Sequence, residues 1–343
     1  MNERINIQSI GKVTFIILLA SMLKVSAFGQ DMQFSQFAEP SWWRNPSLTG
    51  LFKGDFKATA NYRSQWASIV TPYETMNVNL EYKSPVGRAD DYVTFGGTIQ
   101  YDKAGEASLT RTNILPGITY HKALSADRNR YLSLGFTGGM VQRRFDPSKV
   151  KTDAMFSGSP DELFNNSNIT YWDGSVGMSY NSSIGLQEDD NFYIGVAYHH
   201  FNKPKTSFYK DQTIELDPRI TVSAGIRYSL SEHSYFTAEA DYSQQSAFNA
   251  LIVGGMYSVK VGDYYDNPEY IFHFGGYIRW KDAFIPAVKL DYKNLGIGIT
   301  YDANISRLKT VSQTRGGIEL SIGWKGFLNS YSVIKDAVIQ PRF

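Results

Sequence analysis

Few residues in this chain could do chemistry. His199 and His200 set two imidazoles side by side, and imidazole is a common metal ligand. Neighbouring side chains on an extended strand leave opposite faces, so one ring is expected inside and the other on the outer wall. Without further ligands such a pair makes no metal site. Asp189 and Asp190 stand in a turn and are expected to be solvated. The chain has no cysteine, which excludes disulfides and thiolate metal sites. No nucleophile stands beside a paired base, and neither a phosphate-binding loop nor zinc-ligand spacing occurs. No enzyme activity and no cofactor are expected. What remains is a set of charges of both signs: Lys57, Arg63, Glu81, Lys83, Arg227, Glu239, Asp241, Arg279, Lys289, Asp291 and Glu319. A selective pore often carries a ring of one sign. A balanced set suits hydrogen bonding to a polypeptide or an internal plug.

These charges share one parity of long alternating segments. In "DPRITVSAGIRYSL", Ile220, Val222, Ala224, Ile226, Tyr228 and Leu230 fall on one face, and Arg219, Thr221, Ser223, Gly225, Arg227 and Ser229 on the other. "FKATANYR", "YFTAEADYS", "IFHFGGYIRW" and "GGIELSIGW" alternate in the same way. The pattern predicts about fourteen strands, over 55–63, 73–83, 92–102, 110–122, 130–144, 170–181, 191–202, 218–230, 234–244, 248–260, 269–281, 285–293, 294–303 and 315–325. Strands of about ten residues match a bilayer crossed at a tilt, and exceed the five or six usual in a sandwich. On the apolar parity the strands tend to end in Tyr or Trp, among them Tyr82, Tyr120, Tyr228, Tyr242, Trp280 and Tyr301. Antiparallel strands ending so would carry two aromatic girdles, one per membrane interface. The expected fold is all-β: a transmembrane antiparallel up-and-down barrel over residues 55–325, in contact with outer-membrane lipid. An even strand count puts both termini on the periplasmic side. Connections 145–169, 203–217 and 303–314 then face outward.

The ends of the chain extend this reading. Arg4 and Lys12 precede an apolar run, "VTFIILLASML", and the small residues Ser26, Ala27 and Gly29. That layout is a signal peptide over residues 1–29, too short to span a bilayer as a helix. Among the 343 residues, 23 Tyr, 21 Phe and 29 Gly suit a β protein, and the net charge of +1 argues against a nucleic-acid partner. Mean hydropathy is only −0.31, and no later apolar run reaches helical membrane length. Residues 30–54 carry Phe34, Phe37, Trp42, Trp43 and Leu48, with Pro40 and Pro46 blocking regular structure. Five large apolar side chains in so short a span predict a plug folded into the barrel mouth or lumen. Residues 326–343 form a short periplasmic tail.

The motifs carry a resemblance. Gln30, Asp31, Phe34, Ser35, Gln36, Phe37, Asn45, Pro46 and Gly50 are followed by Asn61, Tyr62, Arg63, Gln65, Trp66, Pro72, Tyr73 and Thr75. This succession resembles the opening of the PorP/SprF family, outer-membrane components of the type IX secretion and gliding machinery. The final "QPRF", residues 340–343, resembles that family's ending, whereas Met32 and the doubled Trp42–Trp43 depart from its pattern. The resemblance implies no catalysis. It implies secretion or surface anchoring of a large adhesin bearing a C-terminal targeting domain, with other type IX components, some periplasmic, as partners. The candidate plug or partner-binding residues are Phe34, Ser35, Gln36, Phe37, Trp42, Trp43, Asn45, Pro46, Arg63, Gln65, Trp66, Pro72 and Tyr73. Trp66 and Tyr73 flank the first outer loop, either to clamp a client or to pack that loop. Arg63 is expected to pair with a lumen carboxylate. The alternative function is a plugged channel for a small molecule.

Overall fold

The computed structural model describes residues 31–67, 71–87, 90–125, 129–150, 166–184, 189–208, 214–262, 268–306 and 315–328. The expected signal peptide, Gln30 and the tail beyond Leu328 lie outside them. Fourteen strands follow in chain order: β1 (Phe56–Gln65), β2 (Tyr73–Pro85), β3 (Tyr92–Ala104), β4 (Leu109–Ser125), β5 (Arg130–Arg144), β6 (Asn168–Ser183), β7 (Asn191–His199), β8 (Arg219–Ser231), β9 (Ser234–Gln245), β10 (Phe248–Val261), β11 (Tyr270–Arg279), β12 (Ala283–Tyr292), β13 (Leu295–Asn304) and β14 (Arg315–Gly326). Each pairs antiparallel with its chain neighbour, and β14 returns to β1, so the barrel is closed.

Closure follows from the alternation. Along β8, Ile220, Val222, Ile226, Tyr228 and Leu230 are exposed, while Arg219, Thr221, Ser223 and Arg227 are buried. An apolar outside with a polar inside inverts a soluble protein, and is stable only where lipid is the outer solvent and every backbone group is paired. The aromatic girdles form. Tyr82, Tyr120, Tyr228, Tyr257 and Tyr292 are exposed near the rim where β1 begins and β14 ends, here the terminal rim. Tyr101, Trp172, Tyr198, Tyr242, Trp280 and Tyr301 are exposed near the far rim.

Three irregularities matter. The β4–β5 pairing skips Leu115 and Pro116, and the β12–β13 pairing skips Ile285 and Pro286, because proline has no N–H to donate to a ladder. The third is a step in the far rim. β6 pairs with β5 from Asn168 onward, but with β7 only from Ser175. The alternation predicts β7 to residue 202. It ends at His199, because His200 turns into the left-handed region at φ 56°.

Candidate lumen site

The segment from Met32 to Asp55 packs against the inward side chains of the strands. Local signals shape it weakly. Pro40 precedes a single helical turn, α1 (Ser41–Arg44). Asn45 then caps a 3-10 turn over Pro46–Leu48, its Oδ1 accepting from the Ser47 backbone N–H at 2.9 Å and from Ser47 Oγ at 2.7 Å. One turn of helix is marginal alone in water, so the barrel must supply what holds it.

The wall supplies partners for the segment's backbone. Glu319 accepts from the N–H of Ser35 at 2.6 Å and of Gln36 at 3.1 Å. Glu81 accepts from the Gly50 N–H at 2.6 Å and from Ser41 Oγ. In the other direction, Arg219 donates to the Trp43 carbonyl, Thr119 to that of Pro46, Ser179 to that of Ser47 and Lys83 to that of Phe52. An irregular backbone can be buried only when its polar groups are satisfied in this way.

Two ion clusters fix it further. Arg44 forks onto Asp241, with Nε to Oδ2 at 2.8 Å and Nη2 to Oδ1 at 2.7 Å. It also reaches Glu239 at 3.1 Å and the Tyr193 hydroxyl at 2.7 Å. Burial disfavours the Arg44 charge, but Asp241, Tyr193 and Glu239 outweigh it and hold the guanidinium well above its ordinary range. Glu39 meets Lys289 at 2.7 Å. Burial works to raise the Glu39 carboxyl, yet Lys289 and Lys57 pull it down to about 2.

Apolar contacts complete the seat, with Phe37 set edge-on to Tyr277 at 5.3 Å between ring centroids. Phe34 and Trp43 cluster with Met32, Leu115 and Val141. Trp43 donates its indole N–H to the Met32 carbonyl, and the Arg219 guanidinium lies 4.6 Å from its ring centroid. Trp42 is buried and donates its indole N–H to the Leu80 carbonyl.

Nine of the thirteen sequence-selected residues converge here: Phe34, Ser35, Gln36, Phe37, Trp42, Trp43, Asn45, Pro46 and Arg63. Arg63 pairs with Asp302 at 2.6 Å, near Glu319, and donates to the Gln33 carbonyl. The other four, Gln65, Trp66, Pro72 and Tyr73, stand at the far rim. Trp66 and Tyr73 pack edge to face on one another at 5.0 Å.

The sequence reading missed Arg44, Tyr193 and a set of glycines. A Cβ built on Gly117 would stand 2.4 Å from the Trp42 ring, and one on Gly177 2.0 Å from Asn45 Oδ1. One on Gly135 would meet the Pro46 carbonyl carbon at 2.4 Å. These positions are bare so that the segment can lie on the wall. The available signal was glycine on the lumen parity of long strands.

Two expectations are corrected. His200 does not face outward: its left-handed backbone turns the ring inward, where Nδ1 lies 2.8 Å from the Asp173 carboxylate. His199 also points inward, toward the Arg44 carbonyl, and both rings lie near Trp43. Asp189 and Asp190 are not simply solvated. Asp189 pairs with Arg227 and Lys260, and Asp190 accepts from the Ser229 N–H at 2.6 Å. Among the described residues, no group of three or more His, Asp and Glu could hold a metal.

Opposite the glycine seat, a cavity of about 570 Å³ runs along β8–β14, from Lys293 and Asn294 at the terminal rim to Arg44 and Tyr277 at mid-barrel.

A closed fourteen-strand antiparallel barrel, apolar outside and polar within, defines an outer-membrane β-barrel protein. The chain belongs to the PorP/SprF family of type IX secretion system membrane proteins, which it matches over residues 26–324. No curated protein matches it. Three solved structures show a similar fold at low identity. The CymD monoaromatic hydrocarbon channel has a TM-score of 0.49 and 10% identity, over 88% of this chain and 96% of that one. For the Ralstonia pickettii toluene transporter TbuX the values are 0.47, 11%, 83% and 92%. For a Pseudomonas aeruginosa FadL homologue they are 0.45, 9%, 84% and 98%.

Proposed function

We propose that this barrel is non-enzymatic and holds a secreted client, a large cell-surface adhesin with a C-terminal targeting domain, at the outer face of the membrane. In this reading residues 30–54 are a plug, the terminal rim is periplasmic and meets other type IX secretion components, and the far rim meets the client. One observation carries the proposal beyond family membership. Several of the lumen's charged groups hold the chain's own N-terminal segment, through Arg44–Asp241, Glu39–Lys289 and Glu319 with the Ser35 and Gln36 N–H groups. A barrel filled in this way suits attachment better than free conduction.

Deleting residues 30–50 tests it. The expected result is a folded barrel that no longer displays its client; unchanged display would remove the plug from the mechanism. The second reading, a plugged small-molecule channel, draws on the cavity along β8–β14. Conductance of the purified barrel with no co-purifying partner would favour that reading.

A further inference from the structure

The far rim carries a feature that the filled lumen does not explain. β6 stands above β7 by seven residues, Asn168–Gly174, the largest step between paired strands in the barrel. On the β5 side these residues are fully laddered, Asn168 to Arg144 through Gly174 to Gly138.

Backbone direction alternates along a strand, and the contacts fix which residues face which way. Ser167 accepts at its carbonyl from the Phe145 N–H, so odd residues of this stretch face β5. Gly174 accepts from the Phe201 N–H, so even residues face away from β5. The first two even positions above β7 are closed by a side chain. Asn202 takes the Gly174 N–H at its Oδ1 and donates its Nδ2 to the Trp172 carbonyl, standing in for the absent strand. Beyond it, the N–H of Trp172 and both backbone groups of Thr170 and Asn168 meet no partner among the described residues. Trp172 projects outward beside them, 66% exposed. Among the described residues of the chain leaving β7, Phe201 and Asn202 meet this edge at Gly174 and Trp172, and the Thr206 carbonyl lies near Arg143.

An open, straight strand edge is a template for another strand, and proteins ordinarily blunt or cover it. Among the described residues it is open here for about three alternate residues, beside the aromatic girdle of the far rim, over a longer overhang than at any other strand pair. We infer that β6 residues 168–172 receive an extended segment of the secreted client, which adds as a strand antiparallel to β6 above β7. Main-chain hydrogen bonds from Thr170 and Trp172 hold it, and an apolar side chain rests against the Trp172 indole. The inference rests on the proposed client-holding function and names the contact that performs it.

Thr170→Pro tests it. The substitution deletes an N–H that faces away from β5, so the β5–β6 ladder survives. Thr170→Val keeps the N–H and serves as the control. The full-length tagged barrel is purified from its own cells as wild type and as each variant, with gel mobility before and after heating reporting barrel folding. Co-purifying secreted protein is quantified, and amide exchange over 168–174 is compared between the complex and the bare barrel. The expected result is client retained by the wild type and Thr170→Val, and reduced at least about tenfold by Thr170→Pro. Exchange at Thr170 and Trp172 in the complex is expected to slow by about 100-fold. Client retained by Thr170→Pro, with unprotected amides, would overturn the strand addition and leave the client reading standing. No secreted protein on the wild-type barrel would overturn the client reading and this inference together.

Discussion

The two halves of the lumen treat the same segment differently. Along β3–β7 the wall is bare at Gly117, Gly135 and Gly177, and the segment lies directly on the strand backbone. Along β8–β14 the wall carries charged side chains, among them Asp241, Lys289, Asp291 and Arg279, which pair with the segment or flank a cavity of about 570 Å³. Close packing dominates the first side; the second adds paired charge to its packing, such as Phe37 on Tyr277 and Gln36 against Gly298. An irregular peptide is held in one pose when one wall excludes alternatives by shape and the other supplies paired charge.

This contrast can be broken experimentally, most strongly through Arg44. Arg44→Ala strands the buried Asp241 carboxylate beside half-buried Glu239, and breaking a buried pair from one side costs about 3–5 kcal/mol. Limited proteolysis within residues 32–54 of the solubilised barrel should rise sharply while the barrel stays folded. An unchanged cleavage rate would show that the charged wall does not hold the segment.

A matched pair of glycine substitutions sharpens the comparison. Gly177→Ala sets a methyl 2.0 Å from Asn45 Oδ1 and should loosen the segment by about 1–3 kcal/mol. Gly323→Ala, on the cavity side, sets the same methyl 3.1 Å from Thr59 Cγ2 and should stay within about 0.5 kcal/mol of wild type. Equal effects in the same proteolysis assay would mean that the two walls are alike.

The smallest effect is a pH dependence, silent at neutrality. Glu39 has an ordinary value of 4.5 and is held down to about 2. Its lowered value in the folded state means that its contribution is complete above about pH 4.5 and is lost as pH falls toward about 2. Tryptophan fluorescence from Trp42 and Trp43 should report loosening in that window, and Glu39→Gln should flatten it. A wild-type curve identical to that of Glu39→Gln would remove the Lys289 pair from the holding set.

Much of the barrel was legible because alternation is a local property. Lipid outside and polar groups inside impose one period on every strand, and the alternation predicts β5 over 130–144, the span it has. The parity rule failed at His200, where a left-handed residue ends β7 and turns an outward position inward. No side-chain pattern encodes that φ. The Asp189–Asp190 turn departs from expectation for a related reason: acidic residues in a turn look solvated until the fold brings Arg227 and Lys260 beside Asp189. In the N-terminal segment, aromatic content marks Phe34, Phe37, Trp42 and Trp43 as buried, whereas nothing local marks Arg44, next to Trp43. Its partners Glu239 and Asp241 lie almost two hundred residues away.

By itself, then, this sequence determined the strand count, the membrane-facing parity, the girdles and the family, since each depends on residues close together in the chain. Only the tertiary structure decided which wall the segment rests on, which carboxylates take Arg44 and how far β6 rises above β7. Those outcomes depend on barrel closure and strand register, which bring distant residues face to face and leave no mark at any one position.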